Sequence, residues 1–182
     1  PQGMCFDSTN NKVIIAYGDE GNGTNGTAIV GTVSGTSISF GTAVVFNSAN
    51  TNYVTAVHDP DGDKIVIAYE DVGNSEYFTV IVGTVSGTSI SFGAETVIDT
   101  AQSSWTASAY DTAADKCVLL WTDDGNSAKG TGVVFNSGAT DNFLDWIGIA
   151  GEAISDGASG SVDMIGSVND GQTSLTIDAD YY

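Results

Sequence analysis

Hydrophobic and polar residues alternate along most of this chain in short runs that end at Gly, Asn, Asp or Ser. The runs KIVIAY at 64–69 and FTVIVGTV at 78–85 are typical, since both are rich in β-branched residues and both are followed by turn residues. Alternation with a period of two, interrupted by turn residues, indicates β-strands joined by hairpins. No longer stretch follows the 3.6-residue period of a helix, so the sequence predicts an all-β fold.

This pattern repeats every 52 residues without insertions. The segment GTVSGTSISFG at 31–41 recurs letter for letter at 83–93, and residues 12–63 match residues 64–115 at 25 of 52 positions. A fixed period of this size is typical of a repeat architecture in which each unit is one supersecondary module. Each unit reads as four short strands, which is the composition of one propeller blade. We therefore predict a partial array of propeller-like, four-stranded antiparallel repeats.

The repeat region is expected to cover 1–140, with blades at 1–48, 49–100 and 101–140. Pro1 aligns with Tyr53 and Trp105, so the chain opens in mid-repeat, which predicts that it is cut from a longer array. The third blade is shortened: GTGVVFNS at 130–137 matches GTAVVFNS at 41–48, which predicts that one hairpin is skipped and about one strand is lost.

The repeat stops near residue 141. Short alternating runs split by Asp-Gly and Ser-Gly then predict a small, separate and truncated β-module at 141–182. The smallest usual propeller has about four blades. The repeats therefore need further blades, associated copies or an open stack of sheets.

The charge balance is strongly acidic, with 23 Asp and Glu, four basic residues and a net charge of −19. This argues strongly against nucleic acid as a partner, because phosphate binding needs Lys and Arg, and it argues equally against docking on anionic lipid. No apolar run is long enough to cross a membrane, so no membrane insertion is expected. Salt screens repulsion between acidic groups, which favours an extracellular or saline setting.

Both cysteines occupy positions that hold small hydrophobic residues in the other repeats. Cys5 aligns with Val57 and Ala109, and Cys117 aligns with Ile65. We expect two free cysteines packed in strand cores, rather than a disulfide or a reactive thiol.

One acidic loop resembles the beginning of a calcium-binding loop. Asp59, Asp61 and Asp63 stand at alternate positions of the segment DPDGD, where oxygen ligands at positions 1, 3 and 5 would surround an ion. The alternative is a hairpin turn, for which Pro-Asp-Gly has its own mechanism, and the other repeats do not share the acidic pattern. No cofactor is expected apart from calcium at this loop.

A second turn is more regular, because an aromatic residue is followed by Asp and then by Gly-Asn in all three repeats. The candidate glycan-binding residues at this turn are Tyr17, Asp19, Asn22, Tyr69, Asp71, Asn74, Trp121, Asp123 and Asn126. In the functional interpretation the aromatic ring is a sugar platform beside hydrogen-bonding side chains. In the structural interpretation Asp caps the turn, Gly-Asn takes positive φ, and the ring packs between sheets.

Catalytic machinery is not indicated by the sequence. His58 is the only histidine, and it aligns with Phe6 and Tyr110, so the position favours a flat packing ring over a general base. A single histidine and no nucleophile-elbow motif leave no triad to assemble. We expect no enzymatic activity and assign no catalytic residues.

The segments GTVSGTSISFG, VVFNS and DxGNS resemble the long repeat arrays of tail-fibre and other virion structural proteins of marine bacteriophages. The segment 147–182 is similar to a short β-module that follows such arrays. The resemblance implies an extracellular virion component that is oligomeric and binds other virion subunits, its own copies, or a host-surface glycan or protein. The alternatives are a secreted β-propeller lectin with one sugar site per blade, and a calcium-dependent adhesion domain built on the loop at 59–63.

Overall fold

The computed structural model describes residues 2–137, 149–150 and 162–163, and the chain divides into two units, Pro1–Gly138 and Ala139–Tyr182. The first unit is all β, as predicted. Its strands are β1 (Gln2–Asp7), β2 (Lys12–Asp19), β3 (Asn25–Ser34), β4 (Ser37–Phe40), β5 (Val44–Asp59), β6 (Lys64–Asp71), β7 (Tyr77–Ser86), β8 (Ser89–Phe92), β9 (Thr96–Asp111), β10 (Lys116–Asp123) and β11 (Lys129–Phe135). Single 3-10 turns at Glu20–Asn22, Val72–Asn74 and Asp124–Asn126 are the only helical segments in the described part of the chain.

The eleven strands form one open antiparallel sheet, with the order β1-β2-β3-β5-β6-β7-β9-β10-β11. Strand β4 pairs with β3, and β8 pairs with β7, beside this path. Strands β5 and β9 are 16 residues long, and each is shared between two parts of the sheet. The first half of β5 pairs with β3 and its second half pairs with β6, while β9 joins β7 to β10 in the same way. The predicted blade boundaries at 48/49 and 100/101 therefore lie inside these two strands.

The sheet folds onto itself at β5 and β9 into three layers. Layer 1 comprises β1–β4 and residues 44–50, layer 2 comprises residues 51–59, β6–β8 and residues 96–102, and layer 3 comprises residues 103–111, β10 and β11. We call the side of a layer that carries Val13, Ile15 and Tyr17, or their repeat equivalents, its front face, and the opposite side its back face. Successive layers pack back to front.

Two hydrophobic cores hold the layers together. Between layers 1 and 2, the back-face residues Ile14, Ala16, Ala28, Val30 and Phe46 pack on the front-face residues Val54, Ala56, Ile65, Ile67, Tyr69, Ile81, Val85 and Ile90. Between layers 2 and 3, Val57, Val66, Ala68, Phe78 and Val80 pack on Cys117, Leu119 and Trp121. Since side chains alternate between the faces of a strand, layer 2 contributes neighbouring residues of β6 to both cores. This explains why its strands read as nearly continuous hydrophobic runs.

The structure corrects the interpretation of the third repeat. Strand β11 was expected to match 41–48 after a skipped hairpin, but it pairs with β10, and Val133 lies opposite Leu119. The equivalent pair in layer 1 is Ile29 and Ile15. The 52-residue period therefore continues in phase into β11 as the third strand of its repeat, and GTGVV at 130–134 corresponds to GTAIV at 26–30. The sequence suggested the other alignment because 130–137 and 41–48 share seven of eight residues and differ only at the third position.

In the second unit, strand β12 (Ile149–Ala150) pairs antiparallel with β13 (Val162–Asp163). The remainder of the β-module predicted at 141–182 lies outside the described residues.

Candidate functional site

The aromatic residues of the repeated turn lie in three different environments. Tyr69 is completely buried between layers 1 and 2, where its ring contacts Phe46 at a centroid distance of 5.2 Å. Trp121 is buried between layers 2 and 3 and stacks on Phe78 at 4.3 Å. Tyr17 is half-buried on the front face of layer 1. A sugar platform needs an accessible ring face, and within this group Tyr17 is the one residue that is not buried.

The polar tips of the two buried rings are also occupied. The hydroxyl of Tyr69 donates to Glu95 Oε1 at 2.9 Å, and Trp121 Nε1 donates to Asp99 Oδ2 at 3.0 Å. Burial raises the pKa of the Tyr69 phenol far above its ordinary range, and the neighbouring Glu95 carboxylate raises it further, so the hydroxyl stays a donor. The bond from Tyr69 reaches the residue just before β9, and the bond from Trp121 joins layer 3 to the part of β9 that lies in layer 2.

The aspartates of the repeated turn cap the 3-10 turns. Asp19 Oδ1 and Asp71 Oδ1 accept from the backbone N–H of Gly21 and Gly73 at 3.0 and 3.1 Å, and Asp123 Oδ1 accepts from the N–H of Asn126 at 3.0 Å. Asp71 is buried and also accepts from Asn47 Nδ2 at 2.9 Å. These side chains follow the structural interpretation of the turn.

Positive φ falls on other residues than the Gly-Asn pair of the repeated turn. Asn22, Asn74 and Asn126 end the 3-10 turns, and the left-handed residues follow them. The first such residue is Gly23 in one repeat, at φ 67°, but Ser75 in the next, at φ 60°. The repeated hydrogen-bond pattern therefore imposes this conformation even where the residue is not glycine.

The predicted calcium loop does not gather its three carboxylates. Asp59 is 2 % exposed, and its Oδ1 accepts from the N–H groups of Asp61 and Gly62 at 3.0 and 3.2 Å. Its Oδ2 accepts from the hydroxyl of Ser137. Asp63 points elsewhere and accepts from Asn10 Nδ2 at 3.0 Å. The loop thus has the geometry of a capped turn, and Asp61 contributes only its backbone to it.

The structure instead brings together Asp7, His58 and Asp63, whose potential ligand atoms lie within 4.8 Å of one another. Sequence reasoning missed this group because Asp7 belongs to layer 1 and the other two residues belong to layer 2. His58 Nδ1 accepts from the N–H of Ser8 at 3.4 Å. Nε2 faces Asp7 Oδ1 at 3.3 Å, outside good hydrogen-bond geometry.

The observed contacts of this group are polar and join two layers. His58 of layer 2 faces the first loop of layer 1, where Nδ1 accepts from Ser8 and Nε2 lies against Asp7. His58 is buried, in agreement with the packing ring expected from the sequence, and it adds this contact with Asp7.

An equivalent group of three side chains lies between layers 2 and 3. Asp59, Tyr110 and Asp115 take the places of Asp7, His58 and Asp63. The Tyr110 hydroxyl donates to Asp115 Oδ1 at 3.4 Å. Because a phenol serves at this position as well as an imidazole, the pocket requires a ring with a polar edge and no particular proton-transfer chemistry.

Neither cysteine has the environment of a reactive thiol. Both are free, as predicted. Cys5 packs against the core between layers 1 and 2, and Cys117 is completely buried in the core between layers 2 and 3. Burial raises the pKa of each thiol to about 12, so the thiolate is scarce at neutral pH.

No protein-family model matches the chain, and no curated protein is similar to it in sequence. In the part of the chain that the structure describes, no helix is long and apolar enough to span a membrane.

Proposed function

We propose that this chain is a non-enzymatic structural and adhesive module of a virion, as in a phage tail or tail fibre, which serves assembly or attachment to a host surface. The observation that carries the proposal is that successive repeats contact each other directly, at equivalent positions or beside them. The Tyr53 ring lies 5.3 Å from the ring of its repeat equivalent Trp105, and Thr55 Oγ1 lies 2.7 Å from the Oγ of Ser108, which follows the repeat equivalent of Thr55. Stacking at a fixed period extends a protein by adding identical units, which is what a fibre or spacer needs.

The use of polar side chains supports the same proposal. The aspartates that begin the first loop of each repeat, Asp7, Asp59 and Asp111, all accept from backbone N–H groups two and three residues ahead. Together with the capped 3-10 turns, these hydrogen bonds show that the recurring acidic side chains stabilise the loops. A net charge of −19 then keeps an extended surface soluble.

The finer architecture belongs to this proposal. We infer that the layers are propeller-like blades, because each layer passes into the next through one shared strand and packs on it face to face. Three layers are fewer than the roughly four blades of the smallest usual propeller. A ring would therefore need layers from outside the described residues or from a second copy.

Labelling of virus particles tests the proposed function. An antibody against the 182-residue chain is expected to bind the tail of purified particles of a virus that encodes it, as seen by negative-stain electron microscopy. Particles from which the coding region has been deleted provide the control. Particles that neither bind the antibody nor contain peptides of this chain would overturn the proposal.

The lectin alternative is favoured by one observation, that Tyr17 is only half-buried beside the turn that contains Asp19 and Asn22. If this repeat binds glycan, Tyr17→Ala should abolish glycan-array binding, whereas Tyr17→Phe should retain it. An array without hits for the unmodified chain would remove the alternative.

A further inference from the structure

Among the described residues, no layer covers the front face of layer 1, although the equivalent faces of layers 2 and 3 are buried. It presents Met4, Phe6, Val13, Ile15, Tyr17, Ile29, Val33, Ile38, Phe40 and Val45, which cross-strand pairing places on one side of the sheet. Residues 33 and 38 are 55 % and 42 % exposed, while their repeat equivalents Val85 and Ile90 are 7 % and 4 % exposed. Residues 33 and 85 occupy equivalent positions of the fold, as do residues 38 and 90. Their exposure differs because layer 1 packs in front of layer 2.

The occupant of the equivalent face is known from the structure. In layer 2 the front face is covered by the back face of layer 1, through Ile14, Ala16, Ala28 and Val30. In layer 3 the front face is covered by the back face of layer 2. A front face of this repeat therefore packs on a back face of this repeat at both interfaces.

The back face of layer 3 is the complementary surface. Leu120 and Val134 are 50 % and 65 % exposed there, and Ala107 and Ala109 are exposed beside them. Leu120 stands where layer 1 has Ala16, and it leans over Gly132, which stands where layer 1 has Ala28. Because the larger Leu120 fills the space left by Gly132, this face stays aliphatic like the back face of layer 1.

We propose that the front face of layer 1 binds the back face of layer 3 of a second copy of this chain, so that copies associate head to tail. The contact continues the layer packing found within the chain. It is heterologous, because two different surfaces meet, and such contacts form closed rings or open filaments. A ring of two copies would contain six layers, within the range of about four to eight blades found in propellers. The inference deepens the proposed function and rests on it in treating the chain as an assembling structural module.

The acidic charge sets the conditions for the experiment. With a net charge of −19, copies repel each other at low ionic strength. The screening length falls from about 10 Å at 0.1 M salt to about 3 Å at 1 M. Sedimentation velocity of the 182-residue chain over a concentration series in 0.5 M NaCl is therefore the measurement, and we expect species of two or more chains.

One charged substitution on each face tests the geometry. Ile38→Asp places a charge on the front face, and Leu120→Asp places one on the back face. Each is expected to weaken association by about a hundredfold or more, since an unpaired charge would be buried in an apolar contact. Ser39→Asp, next to Ile38 on the other side of β4, and Ala128→Asp, in an exposed turn, add the same charge away from the two faces and should leave association unchanged.

Mixing the two face variants distinguishes head-to-tail from face-to-face pairing. Each variant keeps one intact face, so an equimolar mixture should form a one-to-one dimer that grows no further, while each variant alone stays monomeric. Circular dichroism melts confirm that both variants are folded. A chain that remains monomeric at millimolar concentration would overturn the inference, and so would association that Ile38→Asp abolishes but Leu120→Asp does not affect. Neither outcome bears on antibody labelling of particles, so the two proposals fail separately.

Discussion

Tyr53 and Trp105, which are 52 residues apart, lie ring against ring with a centroid distance of 5.3 Å and an interplanar angle of 44°. Both have left-handed backbone angles, with φ of 45° and 49°, although neither is glycine. Each stands where a 16-residue strand passes from one layer to the next, and the register of β5 shifts at this point. The same unusual backbone conformation therefore occurs where the chain passes between layers in both long strands, and the two rings at these positions contact each other.

Substitutions at Trp105 separate the cost of its left-handed backbone conformation from the contribution of its ring contact. Trp105→Ala and Trp105→Gly both remove the ring, but only glycine relieves the left-handed conformation, which costs an L-residue about 1–2 kcal/mol. We expect the glycine variant to be more stable than the alanine variant by about 1 kcal/mol in urea unfolding.

The neighbouring Ser104 provides the control, because it lies in the same strand and is not among the residues with positive φ. There the order should reverse, with the alanine variant the more stable. An alanine variant at position 105 that equals or exceeds the glycine variant would contradict the strained crossing.

Tyr69 tests whether the aromatic residue of the repeated turn serves the core. Tyr69→Phe keeps the buried ring but loses the hydrogen bond to Glu95, which should cost about 1 kcal/mol. Tyr69→Ala leaves a cavity between layers 1 and 2 and should cost about 3–5 kcal/mol. Tyr17→Ala, at the same repeat position on the uncovered face, should cost much less. Chemical unfolding of the four proteins measures these differences, and equal losses at positions 17 and 69 would show that layer packing is not the cause.

Local patterns in the sequence were sufficient to predict the strands, because alternation and turn residues are local properties. They were not sufficient to show that β5 and β9 are continuous, since the segments NSAN at 47–50 and DTAQ at 99–102 read as turns by composition. Pairing with β3 and β7 keeps these segments extended, since Asn47 and Asn50 lie opposite Gly26 and Asn25, and Asp99 and Gln102 lie opposite Phe78 and Tyr77. The next residue of each strand then bonds to the neighbouring layer: Thr51 N–H donates to the Thr24 carbonyl at 3.0 Å, and Ser103 N–H donates to the Glu76 carbonyl at 2.9 Å.

The interlayer contacts could be predicted from the sequence only in part. Gly26 and Phe46 in one repeat correspond to Phe78 and Ile98 in the next, so the ring that packs on Tyr69 comes from position 46, whereas the ring on Trp121 comes from position 78. A side chain at Gly26 would collide with Phe46, at 2.5 Å from its ring. The two interfaces therefore take their aromatic ring from different repeat positions. An alignment treats each position separately, so this compensation becomes visible only in the packed structure.

Glu70 is a buried carboxylate whose repeat equivalents, Gly18 and Thr122, are neutral. Burial raises its pKa above the ordinary value, and the hydrogen bond from Asn52 Nδ2 at 2.9 Å only partly offsets this effect. The folded state therefore binds the proton more tightly than the unfolded state, and ionised Glu70 lowers stability at neutral pH.

Glu70→Gln keeps an acceptor for Asn52 and removes the buried charge, so we expect a higher melting temperature at pH 7. The gain should shrink as the pH falls through the raised pKa of the folded state, because the carboxyl group is then neutral in both states of the unmodified chain. Melting curves at pH 7 and pH 3.5 measure the effect, with the exposed Glu20→Gln as a control. A gain of equal size at both pH values would exclude the buried charge as its source.

Ser137 and Asp59 connect the segment after β11 to the first loop of layer 2, and both side chains are buried. Burial alone would raise the pKa of Asp59, but the hydroxyl of Ser137 and the N–H groups of Gly62 and Asp61 outweigh it and lower the pKa below 3.8. The ionised carboxylate therefore contributes stability that is fully present above the unfolded pKa and is lost as the pH falls through the folded pKa. Ser137→Ala removes one donor and should lower the free energy of unfolding by about 1–3 kcal/mol at pH 7.

The stability difference between Ser137→Ala and the unmodified chain should narrow near pH 3. As a control, the exposed Ser86→Ala should show no loss of stability at either pH. Urea unfolding midpoints at both pH values measure this, and a loss that stays constant with pH would mean that the hydroxyl stabilises the fold without acting on the Asp59 carboxylate.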